Sequence, residues 1–280
     1  MGHTGDTDQH YRLLQQRLDR NITGAPYSPA FMKILKLLFS PEEAQLARRL
    51  PSQPKPIDEI SRRLDIPQDQ LCEKLTEMAH RGVVLDLEYK GTRYFALPPV
   101  IIGFFEFTFM RARDELPMAE LAQLFDQYMC EDDKFTSSVF TQQTQVGRSL
   151  VNEESLIEGD YVEILDWERA SHIVSSASAA SVGICQCRHK ASHLGKACDK
   201  PQRTCLTLNW AAESMARSGH AQPISISEAM VILEECKEAG LAQTGDNVQR
   251  NPMYICNCCG CCCGFMDAIK RFDIRNAIVS

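Results

Sequence analysis

Ile255-Cys-Asn-Cys-Cys-Gly-Cys-Cys-Cys-Gly264 places cysteines at 256, 258, 259, 261, 262 and 263, six of them in ten residues. Cysteine that serves only packing is a small, mostly buried residue, so six nearly side by side need another reason. The chain holds 13 cysteines, two before position 184 and eleven from Cys185 to Cys263. Neighbours such as Cys258 and Cys259 pair with each other only under strain, and a disulfide framework is not expected in a reducing compartment. Metal ligation is the reason that remains.

Working outward, a second set of thiols precedes the run. Cys185-Gln-Cys187-Arg188 is followed by Cys198-Asp-Lys200-Pro and by Cys205, a C-x-C-x10-C-x6-C spacing. Together with Cys256, Cys258, Cys259, Cys261, Cys262 and Cys263 these are ten candidate metal ligands. Iron–sulfur clusters are held by thiolates, typically four per cubane, so ten suffice for one or two [4Fe–4S] clusters with two thiols left over. Successive side chains in extended backbone point to opposite faces. The run is therefore expected to divide between two sites, or to serve an unusual, non-cubane cluster with extra thiolates. Zinc is the less favoured metal, because its sites usually show paired C-x2-C knuckles and need only four ligands. His189 and His193 are read as loop residues and not as ligands.

Arg188, Lys190, Lys196, Lys200 and Arg203 face one acidic residue, Asp199, in this segment. Cations beside an anionic cluster stabilise it and raise its reduction potential, which makes Arg188 and Lys200 candidate cofactor-binding residues. A solvated face and a docking site for an acidic redox partner are the other uses of such charge.

The helix from Ser225-Ile-Ser-Glu228 to Gly240 joins the two thiol sets, opened by a capping box and closed by glycine. Cys236 inside it is expected only to pack, as are the isolated Cys72 and Cys130. Trp167, on a helix expected over 164–178, is expected to anchor a core.

The front of the chain reads differently. Helical spacing of Tyr11, Leu14 and Leu18 predicts a helix over 9–19, and an apolar-rich helix follows over 29–39. Ser40-Pro-Glu-Glu43 caps a third that runs to about Leu50. After prolines 51, 54 and 56, two short helices over 57–64 and from Leu71 to about Gly82 precede strands over 83–89 and 92–97, joined at Lys90-Gly91. This is a winged-helix pattern, whose second helix can enter a major groove. Positions 55–97 hold seven basic residues against eight acidic ones, a poor phosphate-binding surface. A homodimer or domain-packing role is favoured over DNA. Helices are predicted over 101–115 and 117–129, then mixed polar loop with short extended pieces over 136–160. The fold class expected is mainly α with small β (α+β): a helical start plus winged helix over 1–99, a helical middle over 100–180, and a cysteine-rich iron–sulfur domain over 181–280.

The net charge of −7 supplies no general attraction to nucleic acid or anionic lipid. No signal-peptide pattern opens the chain, and the longest apolar run, 100–110, is 11 residues against the roughly 20 needed to span a bilayer. A cytoplasmic protein with no membrane partner is expected.

On Cys185-x-Cys187-Arg188, Cys198-Asp-Lys-Pro-x3-Cys205, the Ser227-Glu-Ala to Glu238-Ala-Gly-Leu241 helix and the 255–264 run, the chain resembles the winged-helix, [4Fe–4S]-binding ferredoxin-type proteins of anaerobic bacteria. The match is strong over 161–280 and rests on pattern alone in the front. Members commonly continue into a ferredoxin segment with two C-x2-C-x2-C-x3-C-P runs. This sequence stops at Ser280 about where that segment would begin, as a short or truncated member would. The resemblance implies electron transfer with a redox partner protein. Alternatives are an iron–sulfur-dependent winged-helix transcriptional regulator and a redox enzyme with an unusual cluster. No acid–base pair, nucleotide loop or nucleophile motif assigns a catalytic residue.

Overall fold

The computed structural model describes residues 4–151, 169–248 and 250–279. They form a mixed α+β protein of two compact units, one drawn from 1–108 and 112–139, the other from 109–111 and 140–280. Among the described residues no helix is long and apolar enough to cross a membrane. Trp167 and the start of the helix expected over 164–178 lie outside the described residues.

The first unit opens with α1 (Thr4–Asp19), α2 (Pro29–Leu38) and α3 (Pro41–Ala47). Ser28 caps α2 by accepting the Phe31 amide, and Ser40 and Glu43 complete a reciprocal capping box on α3. Next come β1 (Lys55–Pro56), α4 (Ile57–Leu64), α5 (Gln68–Arg81), β2 (Leu85–Tyr89) and β3 (Thr92–Ala96), whose sheet order is β1-β3-β2. Lys90 and Gly91, at φ 51° and 75°, give the two positive angles that a tight two-residue hairpin requires.

The helix expected over 101–115 is mostly absent. Residues 101–103 are non-helical, and only α6 (Phe105–Phe109) forms. The backbone at Gly103 runs so close to Pro98 that an added Cβ would lie 3.2 Å from the proline's own Cβ, and its amide donates to Glu106 Oε2 at 2.8 Å. That carboxyl is buried, and burial pushes it up to about 8. The following α7 (Met118–Cys130) packs on α2, with Tyr128 stacked 4.6 Å from Phe31. Where loop with short extended pieces is expected, a helix forms, α8 (Lys134–Phe140), and one extended piece, β4 (Gly147–Ser149).

The second unit departs furthest from the loops and two helices expected of it. Its remaining elements are α9 (Ala170–Ser175), β5 (Ala180–Ile184), α10 (Gln186–His193), β6 (Arg203–Leu208), α11 (Asn209–Arg217), β7 (Gln222–Ile224), α12 (Ile226–Glu238), β8 (Ala242–Asp246), β9 (Tyr254–Cys258) and α13 (Gly264–Phe272). The strands make one antiparallel sheet ordered β4-β8-β9-β6-β5-β7. Strand alternation sorts its two faces. Ala180, Val182, Leu206, Leu208 and Ile255 share one face and pack against α9 and α12 through Ile173, Val174, Ala229 and Leu233. Cys205, Cys256 and Cys258 therefore fall on the other.

Candidate metal centre

Four thiols meet where two turns come together. Cys198, on the loop after α10, and Cys259, Cys261 and Cys262, on the turn between β9 and α13, place their sulfurs within 4.8 Å of one another. Cys262 Sγ lies 3.9 Å from Cys198 and 3.7 Å from Cys261. Cys259 is buried beside Cys236 and Leu241, whereas Cys261 is exposed. This group could hold a metal ion.

Arg188 accounts for much of the electrostatics here. It is fully buried on α10, donating to the Asn257 carbonyl at 3.1 Å, to Thr204 Oγ1 and to the Cys259 sulfur. No carboxylate pairs with it among the described residues, and its Nε has no partner. A buried guanidinium without counter-charge is costly, so negative charge belongs nearby. Burial raises the Cys259 thiol, but the amides of Cys262 and Cys261 and the Arg188 guanidinium more than offset it and draw the group down to about 6. Burial raises Cys262, and burial and the neighbouring Cys198 and Cys259 raise Cys261. Protonated neighbours around one thiolate suit a site whose remaining protons a metal cation would displace.

The other predicted ligands lie elsewhere in the same unit. Cys205 on β6, Cys256 and Cys258 on β9, Cys263 at the start of α13 and Cys187 in the first turn of α10 lie near enough in that order for each thiol to act on the next. Cys185 is the N-cap residue of α10, pushed up to about 12 by burial and then by Cys187. Lys200 stands half-buried two residues beyond Cys198. His189 and His193 pair with each other at 3.3 Å, and His189 Nδ1 meets the Phe109 carbonyl at 2.7 Å. Cys236 packs in an apolar cluster.

Sequence reasoning missed the residues that fix Arg188. Asn257 Nδ2 donates to the Thr204 carbonyl at 2.8 Å, and Gln243 Nε2 donates to Asn257 Oδ1 at 3.1 Å, tying β8, β9 and β6 together beneath the guanidinium. The one available signal is that Asn257 alternates with Cys256 and Cys258 in extended backbone and so must face away from them.

Compared with protein-family models, curated proteins and solved structures, the chain matches none of them.

Proposed function

We propose that the chain is an iron–sulfur protein that transfers electrons, with Cys198, Cys259, Cys261 and Cys262 ligating a cluster. The observation that carries this is a gathered set of four thiols beside a buried Arg188 that has no carboxylate partner among the described residues. A bound cluster would supply reversible one-electron chemistry. Arg188 would stabilise the more negative, reduced state and so raise the potential. Exposed Cys261 brings the site to the surface, where Lys196 and Lys200 offer an acidic redox partner a complementary charge. The [4Fe–4S] ferredoxin-type family that the cysteine pattern resembles implies the same chemistry, and thiols kept reduced suit a cytoplasmic setting.

A single tetrahedral ion is the second reading, favoured by the sulfur separations of 3.7 and 3.9 Å. Four thiolates about 2.3 Å from one zinc stand about 3.8 Å apart. A cubane would spread them, and the two turns that carry them are the kind of backbone that can open.

We further propose that the winged-helix arrangement of the front unit serves packing or dimerisation and not DNA. Lys74 and Arg81 of α5 both bind the buried Glu43 carboxylate, and Arg93 binds buried Asp86. These cations are committed internally, which leaves few for phosphates.

Anaerobic purification with iron, acid-labile sulfide and zinc analysis, then electron paramagnetic resonance before and after dithionite, tests the cluster. Iron and sulfide in equal amounts with a reducible signal are expected. Stoichiometric zinc without sulfide overturns it. Salt-dependent affinity for a specific duplex would overturn the reading of the front unit.

A further inference from the structure

The register of the sheet brings together a second set of sulfurs. Leu206 stands opposite Ile255 in the antiparallel β6–β9 pair, which sets Cys205 opposite Cys256 on the face away from the apolar core. Cys258 lies two residues along on that face, with Thr244 Oγ1 3.2 Å from its sulfur. Beyond Cys258, the Cys263 thiol acts on that of Cys258 and the Cys187 thiol on that of Cys263. The five sulfurs thus form a chain, Cys205–Cys256–Cys258–Cys263–Cys187, and not a single knot. Four of the five stand on strands or in a helical turn, so the donors are held by regular structure and not by mobile loops.

The surroundings favour negative charge. α10 begins at Gln186 and α13 at Gly264, so the contact between Cys187 and Cys263 brings two helix N-termini to the same thiols. The Gly264 amide donates to the Cys187 sulfur, and the Lys190 ammonium acts on it from the same helix. Cys205, Cys258 and Cys263 are buried. A row of five donors is too long for one ion and one donor more than a cubane needs.

From this arrangement the geometry points to a second, separate metal site formed by Cys187, Cys205, Cys256, Cys258 and Cys263, which takes a polynuclear iron–sulfur cluster. Its cluster identity rests on the iron–sulfur reading of the first site; its existence as a site does not.

The full chain is reconstituted anaerobically with ferrous iron and sulfide, and two double variants are compared, C256S/C258S and C259S/C262S. Each is expected to lose its own share of the iron, about half for two clusters of equal size, and to keep the resonance signal that the other loses. Wild-type iron and spectrum in C256S/C258S, with all iron lost in C259S/C262S, overturns the second site and leaves the first intact. If the wild-type chain takes up no sulfide, the iron–sulfur reading itself fails. Titration with cobalt(II), followed by thiolate charge-transfer absorption, then decides: uptake beyond the first equivalent that is absent in C256S/C258S keeps the second site and overturns only its cluster, and a single equivalent overturns both. A variant that fails to fold does not block the test, because iron-edge anomalous diffraction from wild-type crystals must show a peak among these five sulfurs separate from the one at Cys198. A single peak at Cys198 overturns the proposal.

Discussion

The two units treat buried ionisable groups in opposite ways. In the first, Glu43 is 3% exposed and closes its capping box while binding Lys74 at 2.8 Å and Arg81 at 2.5 Å, and buried Asp86 is held by Arg93. In the second, buried thiols have mostly each other, and buried Arg188 has a thiolate in place of a carboxylate. Satisfied groups need nothing further, whereas a nest of protonated thiols gains most when a cation replaces the protons. The first unit pairs its buried charges internally; the second gathers four thiols that could hold a metal ion. Glu106 is the exception in the first unit, a buried carboxyl with a single backbone donor from outside its own residue.

The largest test of this contrast is removal of metal. Binding to thiolate sites is worth on the order of 10 kcal/mol, and it is folding free energy for the segment that supplies the ligands. Stripping the protein with acid and chelator should abolish or greatly lower one thermal transition and leave the other in place. Two transitions that both ignore the metal would break the comparison.

Next in size is the apolar side of the sheet. Leu233 is fully buried on α12 against β5, β6 and β9. Leu233→Ala should cost about 2–5 kcal/mol in denaturant unfolding of the metal-loaded protein. A cost below about 1 kcal/mol would mean that metal, and not this core, holds the sheet.

Glu106 gives a test in pH. Its folded value of about 8 lies above the ordinary 4.5, so between those limits the folded state holds a proton that the unfolded state has released. Stability from this group is therefore full below pH 4.5 and falls as pH rises toward 8. Glu106→Gln keeps an acceptor for the Gly103 amide and removes the titration. It should stabilise the first unit by about 3 kcal/mol at pH 7 and by little at pH 4. An unchanged pH profile would remove Glu106 as the exception.

The smallest effect is expected at Glu43, whose partners Lys74 and Arg81 can still reach water when it is lost. Glu43→Gln should cost about 1–2 kcal/mol at pH 7, with the capping bond partly retained. The Arg81 and Lys74 bonds outweigh burial and hold the Glu43 carboxyl below its usual value, so the stability it adds is present above the ordinary carboxylate range and lost as pH falls. A wild-type-like midpoint at pH 7 would show the ion pairs to be idle.

Local chemistry made the front legible. Serine and proline caps, helical spacing and the Lys90-Gly91 turn each act within a few residues, and α2, α3, α4, α5 and the hairpin lie close to where those signals place them. The middle failed where a tertiary contact overrode propensity: apolar residues 101–103 suit a helix, yet the approach of Gly103 to Pro98 and the Glu106 hydrogen bond hold them extended. The six-stranded sheet was not legible. Gln222–Ile224 and Gly147–Ser149 are three residues each, too short for a period, and β6 pairs with β9 some fifty residues away.

By itself the sequence determined that the chain carries thiols in numbers and spacing that packing does not need, because residue identity sets donor chemistry before any folding. Because neighbouring side chains in extended backbone part company, it favoured division of the run at 255–264 between sites over a single cluster with extra thiolates. Only the tertiary structure decided how. The β6–β9 register put Cys205 beside Cys256, the turn after β9 sent Cys259, Cys261 and Cys262 to Cys198, and α10 buried Arg188 next to Cys259. Those partnerships join residues more than fifty positions apart, and strand register, which no local signal encodes, is what chooses among them.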